Sequence, residues 1–366
     1  MYSNLKIVYI HKAHFDKRPP IIAVVERLIH LNTQLTLVTS GITDNSREIL
    51  ESKDVKVIDI GNVPPKKFFK FFYFLKYRNE VWRLINTSRA DIVWIGSGDA
   101  ALVLGKKLLK IAFILQLQEL YDTERLFFNR LKQYARHARL NVVPLKERAM
   151  LLRHFYVLEN LPMVMHNKPF NKYFKLDHAE TEASNYIKEV AATRKIILYQ
   201  GGIDHVRNSH RLMKLSDELT DEYVMVMMGP ITERASVLLD DYPKVIHIDR
   251  IDAPSHLQIT KLAHIGIIDY TAKELNSVFC APNKMFEYSK FGVPIIANNL
   301  ISIPELRFLK IGASFDYNVK GSFIDTIRFI ECDYDSFSKN SLDYFSSIDG
   351  EKEVMSILER FFRRPN

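Results

Sequence analysis

Short apolar runs rich in Val and Ile recur along this 366-residue chain, each followed by a stretch of helical periodicity, and no other feature constrains the fold as strongly. In the first half they are LKIVYI from Leu5, LTLVTS from Leu35, VKVIDI from Val55, DIVWIG from Asp91, IAFILQ from Ile111 and LNVVP from Leu140. Strands this uniformly apolar are buried on both faces, as parallel strands are when helices cover both sides of a sheet. The alternation breaks at a polar, Pro-containing stretch, ENLPMVMHNKPFNKYFKLDHAE. It resumes with KIILYQGG from Lys195, YVMVMMG from Tyr223, KVIHI from Lys244, HIGIIDY from His264 and VPIIAN from Val293. The pattern predicts two doubly wound Rossmann-like α/β domains, one over 1–165 and one over 176–345, with the boundary between Asn160 and Leu176. The remaining segment, 346–366, is expected to hold an amphipathic helix, near Glu351 to Phe362, packing near the domain junction. Ligands in open α/β sheets bind at the strand carboxyl ends, so the active site is expected in a cleft between two facing domains.

The chain is 47% hydrophobic and 26% charged, enough apolar material for two cores. Two cysteines, Cys280 and Cys332, build no disulfide framework and lack metal-ligand spacing, which points to a reducing, cytoplasmic home. The apolar run before His11 and Lys12 reads as a first strand rather than a signal peptide. No stretch approaches the roughly 18–20 uninterrupted apolar residues of a spanning helix. The expectation is a protein neither secreted nor integral to a membrane. The net charge of +8 draws the chain toward something anionic: nucleic acid, a phosphate-rich substrate or a membrane surface. No G-x-G-x-x-G follows any of the strands, which disfavours a dehydrogenase.

Two segments carry chemistry. In ILYQGGIDHVRNSHRLMKL a buried strand runs into Gly201-Gly202, then a loop with Arg207, then a helix with Leu212 and Leu215. Paired glycines let backbone approach a ligand, a new helix offers N–H groups to an anion, and Arg207 adds a fork of donors, so the turn suits a diphosphate. The plain alternative is an ordinary turn followed by a solvated arginine. In CAPNKMFEYSKFGVPIIANN, Asn283, Lys284 and Glu287 open a helix that ends at Gly292. There Lys284 can meet a phosphate as a point charge while Glu287, one turn on, accepts hydrogen bonds from a ribose diol. The alternative is an i,i+3 surface pair that only supports the helix.

Taken together the segments resemble the C-terminal domain of retaining GT-B glycosyltransferases, of the family 4-like bacterial polysaccharide and capsule type. The resemblance rests on Tyr199, Gly201, Arg207 and Leu212; on Ala263, Ile265, Gly266, Ile267 and Tyr270; and on Asn283-Lys284, Glu287-Tyr288, Gly292 and Pro294-Ile295-Ile296-Ala297. It implies that Arg207 and Lys284 neutralise the donor diphosphate and that Glu287 holds the nucleotide ribose. The chain departs from the pattern at Phe279, where many members carry a second glutamate, and at Gly202, where an arginine often follows the first glycine.

The N-terminal half is similar to the family through FILQLQELYDTE and LENLPMV. In the first, Gln118 stands at the family's histidine and Glu119, Leu120 and Tyr121 carry over. Glu119 follows a buried strand, where a catalytic cleft residue belongs; a helix-start carboxylate favoured by the helix dipole is the alternative. His14, Asp16 and Arg18 follow the first strand and are candidates for the acceptor side. From Pro64 to Trp82 the chain reads PPKKFFKFFYFLKYRNEVW, with Phe68, Phe69, Phe71, Phe72 and Phe74 among Lys66, Lys67, Lys70, Lys76 and Arg78. Such a helix is suited to a membrane surface, rings among acyl chains and lysines among anionic headgroups, at the inner face of the plasma membrane. Several of the rings are alternatively needed to cover the sheet. Nucleic-acid stacking platforms usually lie on sheets or in grooves, so nucleic acid is not expected as a partner.

The expected function is therefore sugar transfer from a nucleotide-sugar to a glycan or lipid-linked acceptor, in surface polysaccharide synthesis, with anomeric retention. No metal or other cofactor is expected, since basic side chains stabilise the leaving diphosphate and no DxD motif stands in place. Two rivals remain: a nucleotide-sugar epimerase, and a non-catalytic sugar-binding or scaffold subunit of the same fold.

Overall fold

The computed structural model describes residues 2–174, 182–204, 209–237 and 239–363. The chain divides into two compact units, Met1–Phe174 with Asp349–Asn366, and Lys175–Ile348.

The first unit is built on β1 (Lys6–Ile10), β2 (Gln34–Thr39), β3 (Lys56–Asp59), β4 (Ile92–Ile95), β5 (Ile114–Gln116), β6 (Leu140–Val143) and β7 (Met163–Val164). These form one seven-stranded sheet in the order β3-β2-β1-β4-β5-β6-β7, with every pair parallel. Val8 at the centre lies opposite Thr36 on one side and Val93 on the other. The order reverses between β1 and β4, so the connections leave in opposite directions and open a crevice at the carboxyl ends of those two strands.

The second unit repeats the plan with β8 (Lys195–Gln200), β9 (Tyr223–Met228), β10 (Val245–Ile248), β11 (Ile265–Ile268), β12 (Ile295–Asn298) and β13 (Gly312–Phe315). Its six parallel strands run in the order β10-β9-β8-β11-β12-β13, and the reversal falls between β8 and β11. Apolar clusters cover both faces: Leu198, Val224 and Ile295 belong to one, Ile197, Met225 and Ile296 to the other. Alternate residues of one strand thus serve opposite layers, as the period of two requires. A small-to-large match fixes the register of the covering helix. A Cβ on Gly266 would stand 2.5 Å from the Tyr288 ring, and the Tyr288 hydroxyl donates to the Leu198 carbonyl at 2.8 Å.

The apolar runs mark every strand except β7 and β13. The first is two residues long and lies inside the polar stretch; the second reads GASF, with neither Val nor Ile. Both are edge strands, where fewer neighbours demand an apolar side chain.

The last helix, Gly350–Phe362, packs in the first unit. Asp349 caps it by accepting from the Lys352 N–H at 3.0 Å, and Val354, Ile357, Leu358 and Phe361 enter the core with Val24, Leu28 and Ile92. The returning chain is held by polar anchors as well. Glu26, buried on the Pro19–His30 helix, accepts from the backbone N–H groups of Asn171, Tyr173 and Phe174 at 2.9, 2.7 and 3.0 Å. Arg27 donates to the Lys168 carbonyl at 2.6 Å, and Glu353 receives the His166 backbone N–H at 3.0 Å.

Candidate functional site

In the second unit the carboxyl end of β8 carries Tyr199 and Gln200, and each meets one residue of the Asn283–Ser289 helix. Positions 284 and 287 share a helix face because they are three apart, so Lys284 and Glu287 reach the same strand end. The Lys284 ammonium lies 4.4 Å from the centre of the Tyr199 ring and 5.2 Å from that of Tyr270, which follows β11. Glu287 accepts a 2.6 Å hydrogen bond from the Gln200 amide and stands 3.2 Å from the His256 imidazole through its other oxygen. Thr260 fixes the Gln200 amide in that orientation by donating to its carbonyl at 2.9 Å. Lys284 and Glu287 are both buried, so neither is the solvated surface pair the alternative reading supposed.

The glycine turn belongs to the same constellation. Tyr199, whose ring carries Lys284, donates its hydroxyl to the Gly202 carbonyl at 3.2 Å. Gly201 (φ +154°) and Gly229 (φ +149°) occupy the left-handed side of the backbone map, and a Cβ on Gly229 would come within 2.0 Å of the Gly201 carbonyl oxygen. Two strand ends therefore approach backbone to backbone, a spacing that only glycine permits. Asn283 opens the helix after Pro282. Arg207 lies outside the described residues.

Sequence reading assigned no role to Asp269, next to the reversal point at the end of β11. Burial pushes its carboxyl above the usual range, against hydrogen bonds from Asn298 and Tyr317 and the fields of Lys284 and Arg211. The Arg211 guanidinium in turn lies 4.2 Å from the centre of the Tyr317 ring. Asp269 sits inside the G-I-I-D-Y run and was visible there; Gln200 immediately precedes the glycine pair. His256 and Thr260 left no sequence signal, since only the tertiary fold brings them to Glu287 and Gln200.

In the first unit the crevice between β1 and β4 holds a second polar cluster. Lys12, just past β1, pairs with Asp99 at 2.9 Å at the start of the helix after β4. Burial raises the Asp99 carboxyl, but the Lys12 ammonium, a Ser97 hydrogen bond and His11 carry it below its ordinary value. His11 is buried beside them, and burial lowers its imidazole to about 4 despite Asp99. The Tyr121 hydroxyl is pushed well up by burial, with the charges of Asp99 and Glu119 adding to the effect.

The expected acceptor-side residues lie in the segments that follow β1 and β5. Glu119 follows β5 and is half-exposed, its carboxylate 3.8 Å from the buried Arg148 guanidinium. Arg18 is exposed at the start of the Pro19–His30 helix, close enough for its charge to act on both His11 and Tyr121. His14 is drawn toward Asp16, at 3.4 Å. Asp16 itself is structural: it accepts from the Thr43 N–H at 2.9 Å and from the Ser46 hydroxyl, tying the first loop to the Asp44–Glu51 helix. His11, Lys12 and Asp99 escaped the sequence reading, although two of them directly follow the first strand.

No family model matches the chain, and no curated protein matches it. Solved structures match along its whole length. The structure of Anabaena HepE in complex with UDP is 12% identical, with a TM-score of 0.72 over 97% of this chain and 99% of that one. A glycosyltransferase from Rickettsia africae is 15% identical, with a TM-score of 0.72 over 100% of both chains. A Listeria monocytogenes protein assigned as a UDP-N-acetylglucosamine 2-epimerase is 12% identical, with a TM-score of 0.64 over 99% and 98%. What these likenesses show is the fold: this is a GT-B chain, two Rossmann-like α/β units each on a parallel sheet. Transferase and epimerase alike can be built on it, so activity has to be argued from the residues.

Proposed function

We propose that the protein is a glycosyltransferase that takes a sugar from a nucleotide-sugar donor bound by its second unit. The reading rests on one observation: Lys284 and Glu287 meet the carboxyl end of β8 together, on Tyr199 and Gln200, beside the Gly201-Gly202 turn. A fixed cation and a fixed carboxylate three positions apart on one helix face suit a diphosphate and the ribose next to it. In this reading Lys284 and Arg207 supply positive charge for the phosphates, Gly201, whose own N–H is held by the Met228 carbonyl, lets the backbone approach them, Gly202 and Asn283 offer backbone and amide donors, and Glu287 accepts from the ribose hydroxyls. Anabaena HepE, a neighbour in fold, was solved in complex with UDP.

In the transfer step the bond from the sugar anomeric carbon to the phosphate oxygen breaks and its electron pair leaves on the diphosphate. An acceptor hydroxyl oxygen bonds to that carbon as its proton passes to the departing diphosphate oxygen, with retention of anomeric configuration. Preorganised cations stabilise the leaving charge without a bound metal or other cofactor. The acceptor, a glycan or lipid-linked sugar of surface polysaccharide synthesis, is received by the first unit, with Glu119, His14 and Arg18 as its candidate contacts. Arg207→Ala is expected to remove most transfer with the fold intact.

A panel of nucleotide sugars tests the reading, by thermal shift and by nucleotide release with and without membrane lipid extract. Stabilisation by one nucleotide with lipid-dependent release supports it. The likeness to the Listeria protein favours epimerisation as the second reading. That reaction yields an isomerised nucleotide sugar with no acceptor added and no free nucleotide, whereas a scaffold subunit responds to no nucleotide.

A further inference from the structure

Over its first turns the Lys67–Ser88 helix has two apolar stripes, and the first unit buries only one; further along, Trp82 is buried as well, its indole donating to the Leu104 carbonyl at 3.0 Å. Tyr73, Tyr77 and Val81, spaced i, i+4, i+8, are buried. Tyr73 is fixed there by hydrogen bonds to the Ser40 hydroxyl at 2.5 Å and the Gly61 carbonyl at 2.9 Å. Phe68, Phe71, Phe72 and Leu75 fall at i, i+3, i+4 and i+7, a second stripe on the opposite side of the cylinder at 3.6 residues per turn. Phe68, Phe71 and Phe72 are 70%, 61% and 53% exposed, and Phe69 beside them is 54% exposed. The three stack edge to face on one another, Phe68 on Phe72 at 5.1 Å and Phe71 on Phe72 at 5.6 Å. An apolar ridge of this size turned to solvent is an interaction site rather than scattered surface apolarity.

The charges beside the ridge identify its partner. On the helical wheel Lys76 flanks one side and Lys67 and Arg78 the other, with Lys66 just before the helix, and no acidic residue occurs from Pro64 to Arg78. A ridge of rings with cations on both sides matches an anionic bilayer, where rings enter the acyl boundary and the charged groups stay among headgroups. The helix also borders the polar crevice of its own unit. Its Phe74 ring lies 4.7 Å from the Lys12 ammonium, and Lys12 pairs with Asp99.

We propose that Phe68, Phe69, Phe71 and Phe72 dock the first unit on an anionic lipid surface, setting the Lys12–Asp99 crevice beside the headgroup layer. The inference does not rest on the donor site of the second unit.

Cosedimentation of the full chain with vesicles of phosphatidylcholine, alone or mixed with phosphatidylglycerol, tests it. Binding to the mixed vesicles, little to the neutral ones, and loss as salt approaches about 1 M are expected. The triple variant Lys67→Glu, Lys76→Glu, Arg78→Glu lowers partitioning roughly a hundredfold, at about fivefold per cation near an anionic surface. Phe68→Ser with Phe72→Ser lowers it more than about tenfold, while circular dichroism and thermal unfolding stay as in the parent because both rings are exposed. Several results overturn the proposal: a parent that ignores both vesicle types, a serine double variant that binds like the parent, or tighter binding to single-stranded DNA than to anionic vesicles. A dimer in sedimentation velocity that the serine variant disperses also overturns it, giving the ridge to a second copy of this chain. The thermal response of each variant to UDP is read in parallel, so loss of lipid binding is distinguished from loss of the donor site.

Discussion

Lys284→Met separates the donor-site reading from a purely structural one. Methionine keeps an unbranched apolar stem between the Tyr199 and Tyr270 rings and deletes only the ammonium, which lies 4.4 and 5.2 Å from the two ring centres. A hydrogen bond from a charged donor contributes about 1.5–3 kcal/mol, so affinity for a nucleoside diphosphate should fall roughly 10- to 150-fold. Stability should change little: the lost cation–π attraction, about 0.5–2 kcal/mol, is offset by no longer burying an ammonium. Removing Lys284 also takes away one of the charges that hold the buried Asp269 carboxyl down, so that group should rise further. The assay is isothermal titration with UDP and GDP on the parent, on Lys284→Met and on Lys290→Met, a control just beyond the same helix that should bind as the parent does. Unaltered affinity in Lys284→Met refutes the assignment of phosphate to this lysine. A parent that binds neither nucleotide refutes the donor site altogether.

Glu287→Gln should weaken UDP about tenfold and leave inorganic diphosphate unaffected, because only the ribose contact is lost; an equal loss for both ligands in titration would contradict the role given to Glu287. Gly266→Ala places a Cβ 2.5 Å from the Tyr288 ring, and the forced repacking should cost about 1–3 kcal/mol in urea unfolding. Leu358→Ala should destabilise the first unit by about 2–5 kcal/mol, since Leu358 is fully buried in its core; an unchanged midpoint would detach the last helix from that core. Burial lowers the His11 pKa from 6.5 to about 4. The unfolded chain therefore takes up a proton that the folded one refuses: the stability tied to a neutral ring is complete above pH 6.5 and lost as pH falls toward about 4, up to about 3 kcal/mol. His11→Phe should flatten that limb of the stability profile, and a profile as steep as the parent's would show that His11 is not its source.

The alternation of Val- and Ile-rich runs with helical stretches carried the doubly wound architecture by itself, because a strand buried on both faces must be apolar at every position. The same condition lapses at the sheet edges, so the brief Met163–Val164 strand and the GASF strand gave no comparable signal. The motif around Lys284 and Glu287 was equally legible, since a helix period puts residues three apart on one face. Which of the rings between Phe68 and Tyr77 face the core was not, for two apolar stripes on one helix look alike until the sheet is in place. Nor could the sequence place Lys12 against Asp99, or His256 and Gln200 on either side of Glu287. Those residues are 87, 31 and 87 positions apart, and contacts at such separations arise only when parallel strands bring their carboxyl ends to one edge. The sequence by itself determined the layers, most strands and the face of one motif helix through local periodicity; burial, ion pairing and the polarity of both crevices were decided by tertiary structure, because they depend on neighbours that periodicity does not encode.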